Sequence, residues 1–181
     1  MELSRNTLKA EAEEIIEELR LLEILGQYGK VRVVGSVALD LIVKLDIDIH
    51  LLIAAESDLL GVVDSVYHKL LDCQRVREVR ITDYREQNAI KIGIDTYPDA
   101  SGNWSIDIWI TSDPAETAFE YVDRLKQAIR PEHREAILCI KSYYNKRDQL
   151  RDGISVRIYE AVIYNNIRTI EEFKQFLVRD G

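Results

Sequence analysis

Two aspartates stand one residue apart in the run Asp46-Ile47-Asp48-Ile49-His50-Leu51-Leu52-Ile53. Strict alternation puts Ile47, Ile49, Leu51 and Ile53 on one face of a strand and Asp46, Asp48 and His50 on the other. Side chains two residues apart on a strand lie roughly 7 Å from each other. Neighbouring carboxylates repel, and a fold tolerates them where they face water or share a cation. Hard divalent ions such as Mg²⁺ take such oxygen ligands. Alone, an Asp-x-Asp is more often a solvated strand face than a metal site.

Two further features raise its weight. Upstream, Gly35-Ser36 ends a short apolar strand, and nine residues separate Ser36 from Asp46. A glycine at a strand-to-helix turn lets backbone N–H groups approach phosphate, with the serine hydroxyl beside them. Downstream, Trp104-Ser105-Ile106-Asp107-Ile108-Trp109-Ile110 alternates again, with the isoleucines on the apolar face and Asp107 on the polar one between Ser105 and Trp109. If this strand lies beside Asp46–Ile53 with the same face buried, three carboxylates converge. Asp95, on the polar face of its own strand with Lys91 and Gly93, competes with Asp107 for third place. Lys44 is a candidate phosphate contact, against the plain alternative of a surface lysine. Trp109 either stacks on a base or acceptor or covers the sheet edge. His50 shares the aspartate face, two residues beyond the pair. Lys141, Tyr143, Tyr144 and Lys146 fall on a later helix, a candidate for nucleotide contacts that reads more readily as an ordinary amphipathic helix.

The elements that position these residues follow from periodicity. Leu8, Ala12, Ile15, Leu19 and Leu22 predict one helix with a single buried stripe, stopped by Gly26. Val31–Val34 is a strand and Val37–Val43 a short helix. Ser57 caps a helix running to about Asp72. Three β-rich stretches follow, at 76–84, 89–96 and 104–110, the last two joined as a hairpin through the turn residues 98–103. Asp113-Pro114-Ala115-Glu116 has the signature of a helix start. Further helices are expected from Pro131 to about Gln149, from Ser155, and from the capping box Thr169-Ile170-Glu171-Glu172. The fold class is α+β: a mixed β-sheet flanked by helices over residues 1–112, then a helical region, 113–181, expected to pack on the core because no Pro/Gly/Ser linker separates them.

Gly35-Ser36, nine residues, Asp46-Ile47-Asp48-Ile49, and a later hydrophobic-Asp-hydrophobic strand at Asp107 together resemble the nucleotidyltransferase superfamily, the fold of DNA polymerase beta. In size and helical tail the chain is more similar to the small antibiotic nucleotidyltransferases and their uncharacterised relatives than to polymerases. The resemblance is specific over about 31–53, fair to Ile110 and loose beyond. It implies transfer of a nucleoside monophosphate from an NTP, with ATP expected, to a hydroxyl. Asp46, Asp48 and Asp107 would bind two Mg²⁺ ions, and Asp107 would accept the hydroxyl proton. Gly35, Ser36 and Lys44 would meet the nucleotide. One departure is the stretch Val37–Leu45, which is apolar and lacks the glycine that many members carry there.

Bulk properties constrain the acceptor. Acidic residues outnumber basic ones 32 to 24, for a net charge of -8, which disfavours a module that grips a long stretch of nucleic acid. A small neutral or cationic acceptor, such as an aminoglycoside, suits the charge; a protein side chain or tRNA end, as in toxin–antitoxin relatives, is the alternative, and an inert nucleotide-binding member is another. Cys73 and Cys139 have no metal spacing and are expected as buried free thiols in a reducing cytoplasm. The absence of a signal-peptide pattern and of any apolar run near 20 residues gives a cytoplasmic expectation with no membrane partner.

Overall fold

The computed structural model describes residues 2–151 and 153–179, with side chains from Thr7 onward. The chain divides into two compact units, Met1–Asp123 and Arg124–Gly181.

The first unit is built on a five-stranded mixed sheet in the order β1-β2-β5-β4-β3. Its strands are β1 (Gly29–Val34), β2 (Asp46–Ile53), β3 (Arg80–Tyr84), β4 (Ala89–Asp99) and β5 (Gly102–Thr111). β2 and β5 are parallel, and every other pairing is antiparallel. The central parallel pairing follows from the sequence pattern. Ile47, Ile49 and Leu51 of β2 lie in register with Ile106, Ile108 and Ile110 of β5, and all six are fully buried. A shift of one residue would turn this whole set to the opposite face. Helices α1 (Glu2–Glu18), α2 (Leu21–Gly26) and α4 (Leu59–Leu71) add Ile15, Leu21, Leu25, Val66 and Leu70 to the same core. The opposite face of the sheet carries the polar residues.

The single N-terminal helix expected from the apolar spacing is two helices. Arg20 adopts a left-handed conformation between them. The break redirects the chain so that Leu21 and Leu25 are buried alongside Ile15 and Leu19 rather than drifting off the stripe. Between β1 and β2 lies the five-residue helix α3 (Gly35–Leu39). Val37, Leu39, Leu41 and Ile42 are all buried, which accounts for the apolar, glycine-free stretch before Asp46: it is core. The β-rich stretch 76–84 yields strand only from Arg80. The Asp113-Pro114 start forms a 3₁₀ turn, Pro114–Glu116, with the Asp113 carboxylate accepting the Ala115 N–H at 2.9 Å. Helix α5 (Phe119–Ala128) follows it.

The second unit contains α6 (Pro131–Asn145), α7 (Ile154–Tyr164) and α8 (Ile170–Arg179). Tyr144 of α6 meets Phe173 of α8 edge to face at 5.5 Å. The capping box at Thr169 is formed: its hydroxyl accepts the Glu172 N–H at 3.2 Å, and the Glu172 carboxylate accepts the Thr169 N–H at 3.0 Å. Lys141 is buried, with its Nζ 3.0 Å from the Tyr159 hydroxyl. Of the two cysteines, Cys73 is half-buried and Cys139 is exposed, so the expectation of two buried thiols fails at Cys139.

Candidate active site

Because β2 and β5 run parallel, Asp48 is the register partner of Asp107. Neighbouring strands in a sheet lie roughly 4.8 Å apart, so two carboxylates are side by side on the polar face. The row through them reads Val34, Asp48, Asp107, Gly93, Arg80 across β1, β2, β5, β4 and β3. The next row reads Arg32, His50, Trp109, Lys91, Thr82. Asp46 begins a third row opposite Ser105.

Directly opposed like charges destabilise a sheet by themselves. Cations and gaps surround these. Lys91 donates to Asp107 Oδ2 at 3.1 Å. Lys44 Nζ is 3.8 Å from Asp46 Oδ2. The Ser36 hydroxyl, itself buried, lies 3.4 Å from Asp46 Oδ1. Gly35 has a φ of 61°, in the left-handed region, and a Cβ there would overlap the Asp48 carboxylate. The position requires glycine twice over, for its backbone and for the space it leaves. Gly93, whose backbone is not left-handed, lies beside Asp107, and a Cβ there would stand 3.4 Å from its Oδ1.

The structure thus brings Gly35, Ser36, Asp46, Asp48 and Asp107 to one part of the sheet face, with Lys44 at its rim. Asp95 is set apart by its pairing: it holds Arg80 in an ion pair and sits at the register shift between Ile94 and Tyr97. His50 sits one row beyond the acids. Its Nδ1 accepts the Ala118 N–H at 3.1 Å, which leaves the proton on Nε2. Burial lowers its pKa to about 4, so the ring is neutral at physiological pH. His133 is buried at the start of α6, and His68 is exposed on α4.

Sequence reasoning missed the neighbours of Trp109. Tyr84 lies at 4.9 Å between ring centroids, tilted by 39°, and Lys91 Nζ is 5.6 Å from the Trp109 ring. The alternation of 89–94 put Lys91 on the polar face, but only the β4–β5 register places it beside Asp107.

Among the described residues, no three of His, Cys, Asp and Glu are set as a metal-holding group. Lys91 and Lys44 engage the outer two acids, and a cation has to compete with them. The donor types, all oxygen, nonetheless suit a hard divalent ion: three carboxylates on one face of the sheet and the Ser36 hydroxyl of α3 beside Asp46. The space left at Gly35 is taken up by the Asp48 carboxylate.

No family model and no curated protein matches the chain by sequence. Solved structures do match. A cytoplasmic RNA terminal U-transferase superposes with a TM-score of 0.63 at 17% identity, over 88% of this chain and 49% of its own. The Cid1 poly(U) polymerase with MgGTP gives 0.59 at 14% identity, over 77% and 43%. CdnC of E. coli MS115-1 with ATP gives 0.55 at 15% identity, over 99% and 67%. The chain spans about half or less of the length of the first two. What the three share with it is the fold, which is that of the nucleotidyltransferases, as the Gly-Ser and Asp-x-Asp spacing implied.

Proposed function

We propose that this chain, a nucleotidyltransferase by fold, transfers a nucleoside monophosphate from an NTP to a hydroxyl. The observation that carries the reading is the pairing of Asp48 with Asp107 beneath a left-handed glycine that leaves room for the first of them. A sheet has no packing reason to set two acids in register on its polar face. The nucleotidyltransferase fold of the three solved structures supports the same reading.

In this reading the acceptor oxygen attacks the α-phosphorus, the bond to the bridging oxygen breaks in line, and pyrophosphate leaves. Asp46, Asp48 and Asp107 would hold divalent cations, which supply charge neutralisation for the triphosphate and acidify the acceptor hydroxyl. The Asp107 carboxylate takes the hydroxyl proton. Ser36 and the backbone at Gly35 hold the outgoing phosphates, and Lys44 lies at their edge. The sheet contributes fixed positions, which lower the barrier without a covalent intermediate. The ordinary co-substrate would be ATP with Mg²⁺. Small-molecule and macromolecular hydroxyls both fit this chemistry.

One observation favours an inert, nucleotide-binding member instead: Lys91 already occupies the third carboxylate. Incubation with α-labelled NTPs, Mg²⁺ and a cell extract separates the two. Wild type is expected to transfer label, while Asp48→Asn and Asp107→Asn, melting as wild type does, lose it by at least a hundredfold. Equal labelling by Asp48→Asn moves the chemistry away from the β2–β5 pair, and no labelling with any NTP sinks the enzymatic reading.

A further inference from the structure

The row beside the carboxylates presents rings and a cation where a solvated sheet face would present small polar residues. Trp109 stands two residues beyond Asp107 on the same strand and face, roughly 7 Å along it by strand rise. It is half-buried rather than covered. Tyr84, from the end of the edge strand, approaches its ring at 4.9 Å. Lys91 stands 5.6 Å from the same ring and 3.1 Å from the Asp107 carboxylate. Tyr84 also lines an open cavity of about 440 Å³ formed by its own turn, with Asp83, Arg85, Glu86 and Gln87.

Position along the row decides which substrate these rings would meet. Gly35 and Ser36, the proposed phosphate contacts, stand beside Asp48 and Asp46 on the β1 side. The rings lie along β5 and on to β3, on the other side of Asp107. The carboxylate next to them is the one assigned to take the acceptor's proton. A group whose hydroxyl reaches Asp107 therefore places the rest of itself over Trp109, and the step from one row to the next is about the reach from a ribose hydroxyl to its own base. Paired aromatic faces with an ammonium at the side bind flat π-systems carrying anionic phosphate. Lys91 already stands in the cation position at the Trp109 ring that a polycationic sugar would use.

We propose that Trp109, Tyr84 and Lys91 form an acceptor subsite for a nucleobase-bearing substrate, a free nucleotide or the 3′ end of a single strand. This rests on the nucleotidyl-transfer reading for the role of the bound group, but the subsite binds without catalysis. It differs from the cationic antibiotic that the family resemblance and the net charge suggested. The acidic surface is not an obstacle, because one stacked terminal base needs few phosphate contacts.

Trp109 reports on its own subsite, since the chain has two tryptophans and the other, Trp104, is fully buried. The 181-residue chain is titrated in EDTA with a nucleoside monophosphate, with a short single-stranded oligonucleotide, with the same oligonucleotide ending in an abasic sugar, and with an aminoglycoside. The base-ended ligands are expected to quench Trp109 emission. Trp109→Phe loses the quench while melting as wild type does, and Tyr84→Ala weakens binding by about tenfold to a hundredfold. Quenching by both base-ended ligands supports the subsite; quenching by the oligonucleotide alone supports it and assigns it to a strand end. Equal quenching by the abasic oligomer, quenching by the aminoglycoside alone, an unchanged quench in Trp109→Phe, or no quench with any ligand overturns it. Displacement of the oligonucleotide by saturating MgATP overturns the acceptor role specifically, by assigning the rings to the incoming nucleotide. A base-dependent quench in a protein that never transfers label would retain the subsite and sink the enzyme.

Discussion

At the scale of single residues, the site depends on what is missing at position 35. A methyl group there meets the Asp48 carboxylate, and the backbone stands at a φ of 61° that only glycine adopts freely. Gly35→Ala is expected to cost roughly 1–3 kcal/mol of stability and to swing Asp48 away, so that transfer falls further than the melting temperature alone accounts for. Urea unfolding beside a label-transfer assay measures both; a variant that is less stable but fully active would show that Asp48 has no fixed aim to lose. Lys91 predicts the opposite sign. Its bond to Asp107 is partly exposed and is worth about 1 kcal/mol or less. Lys91→Met is therefore expected to tighten Mn²⁺ binding up to about fivefold by calorimetry, and weaker binding would mean that the lysine helps assemble the site instead of competing for it. Both residues illustrate what the sequence could carry. Gly35, Asp48 and Asp107 were legible because glycine and alternation are local signals. The contact between Lys91 and Asp107 was not, because it depends on the register of two strands.

At the scale of elements, Glu11 ties α1 to the hairpin of β4 and β5. Its carboxylate accepts from the Ser101 N–H at 2.8 Å, from the Ser101 hydroxyl, and from the Trp104 indole at 3.1 Å. Burial pushes the Glu11 pKa up, but these three bonds outweigh it and hold the carboxyl below its ordinary 4.5. Glu11→Ala strips a buried indole and a turn of their acceptor, at an expected cost of about 2–4 kcal/mol. The folded pKa is depressed, so this contribution is complete above about 4.5 and is lost as pH falls through the folded value. Urea unfolding followed from pH 7 down through the folded value should therefore show the gap between wild type and Glu11→Ala narrowing at the acid end; a constant gap would show that the bonds do not depend on the charge. No sequence pattern marked Glu11, since its partners lie about 90 residues away. The left-handed break at Arg20 and the 3₁₀ turn after Asp113 escaped for a similar reason. A continuous helical stripe and a strong capping signal are both local, and each was overridden by what had to be buried next. The strands were easier to read, because an isoleucine at every second position admits one buried face.

At the scale of the whole molecule, the question is whether the polar sheet face responds as a nucleotide site. All of the proposed ligands, from Gly35 to Asp107, lie in the first compact unit. Their carboxylates add to a chain already carrying a net charge of -8. An NTP brings more negative charge to that face, so nucleotide without metal should bind poorly, and metal should be required for any stabilisation. A ligand present at about a hundred times its Kd stabilises the folded state by about 2.7 kcal/mol. For a chain of this size that raises the melting temperature by roughly 5–10 °C. MgATP is therefore expected to raise the melting temperature by that amount, ATP with EDTA by about 1 °C or less, and MgATP on Asp48→Asn by no more than ATP with EDTA. An equal shift with and without metal would remove the carboxylates from the nucleotide site while leaving the fold untouched. A full metal-dependent shift in Asp48→Asn would move the cation away from the β2–β5 pair and withdraw the observation on which the transferase reading stands.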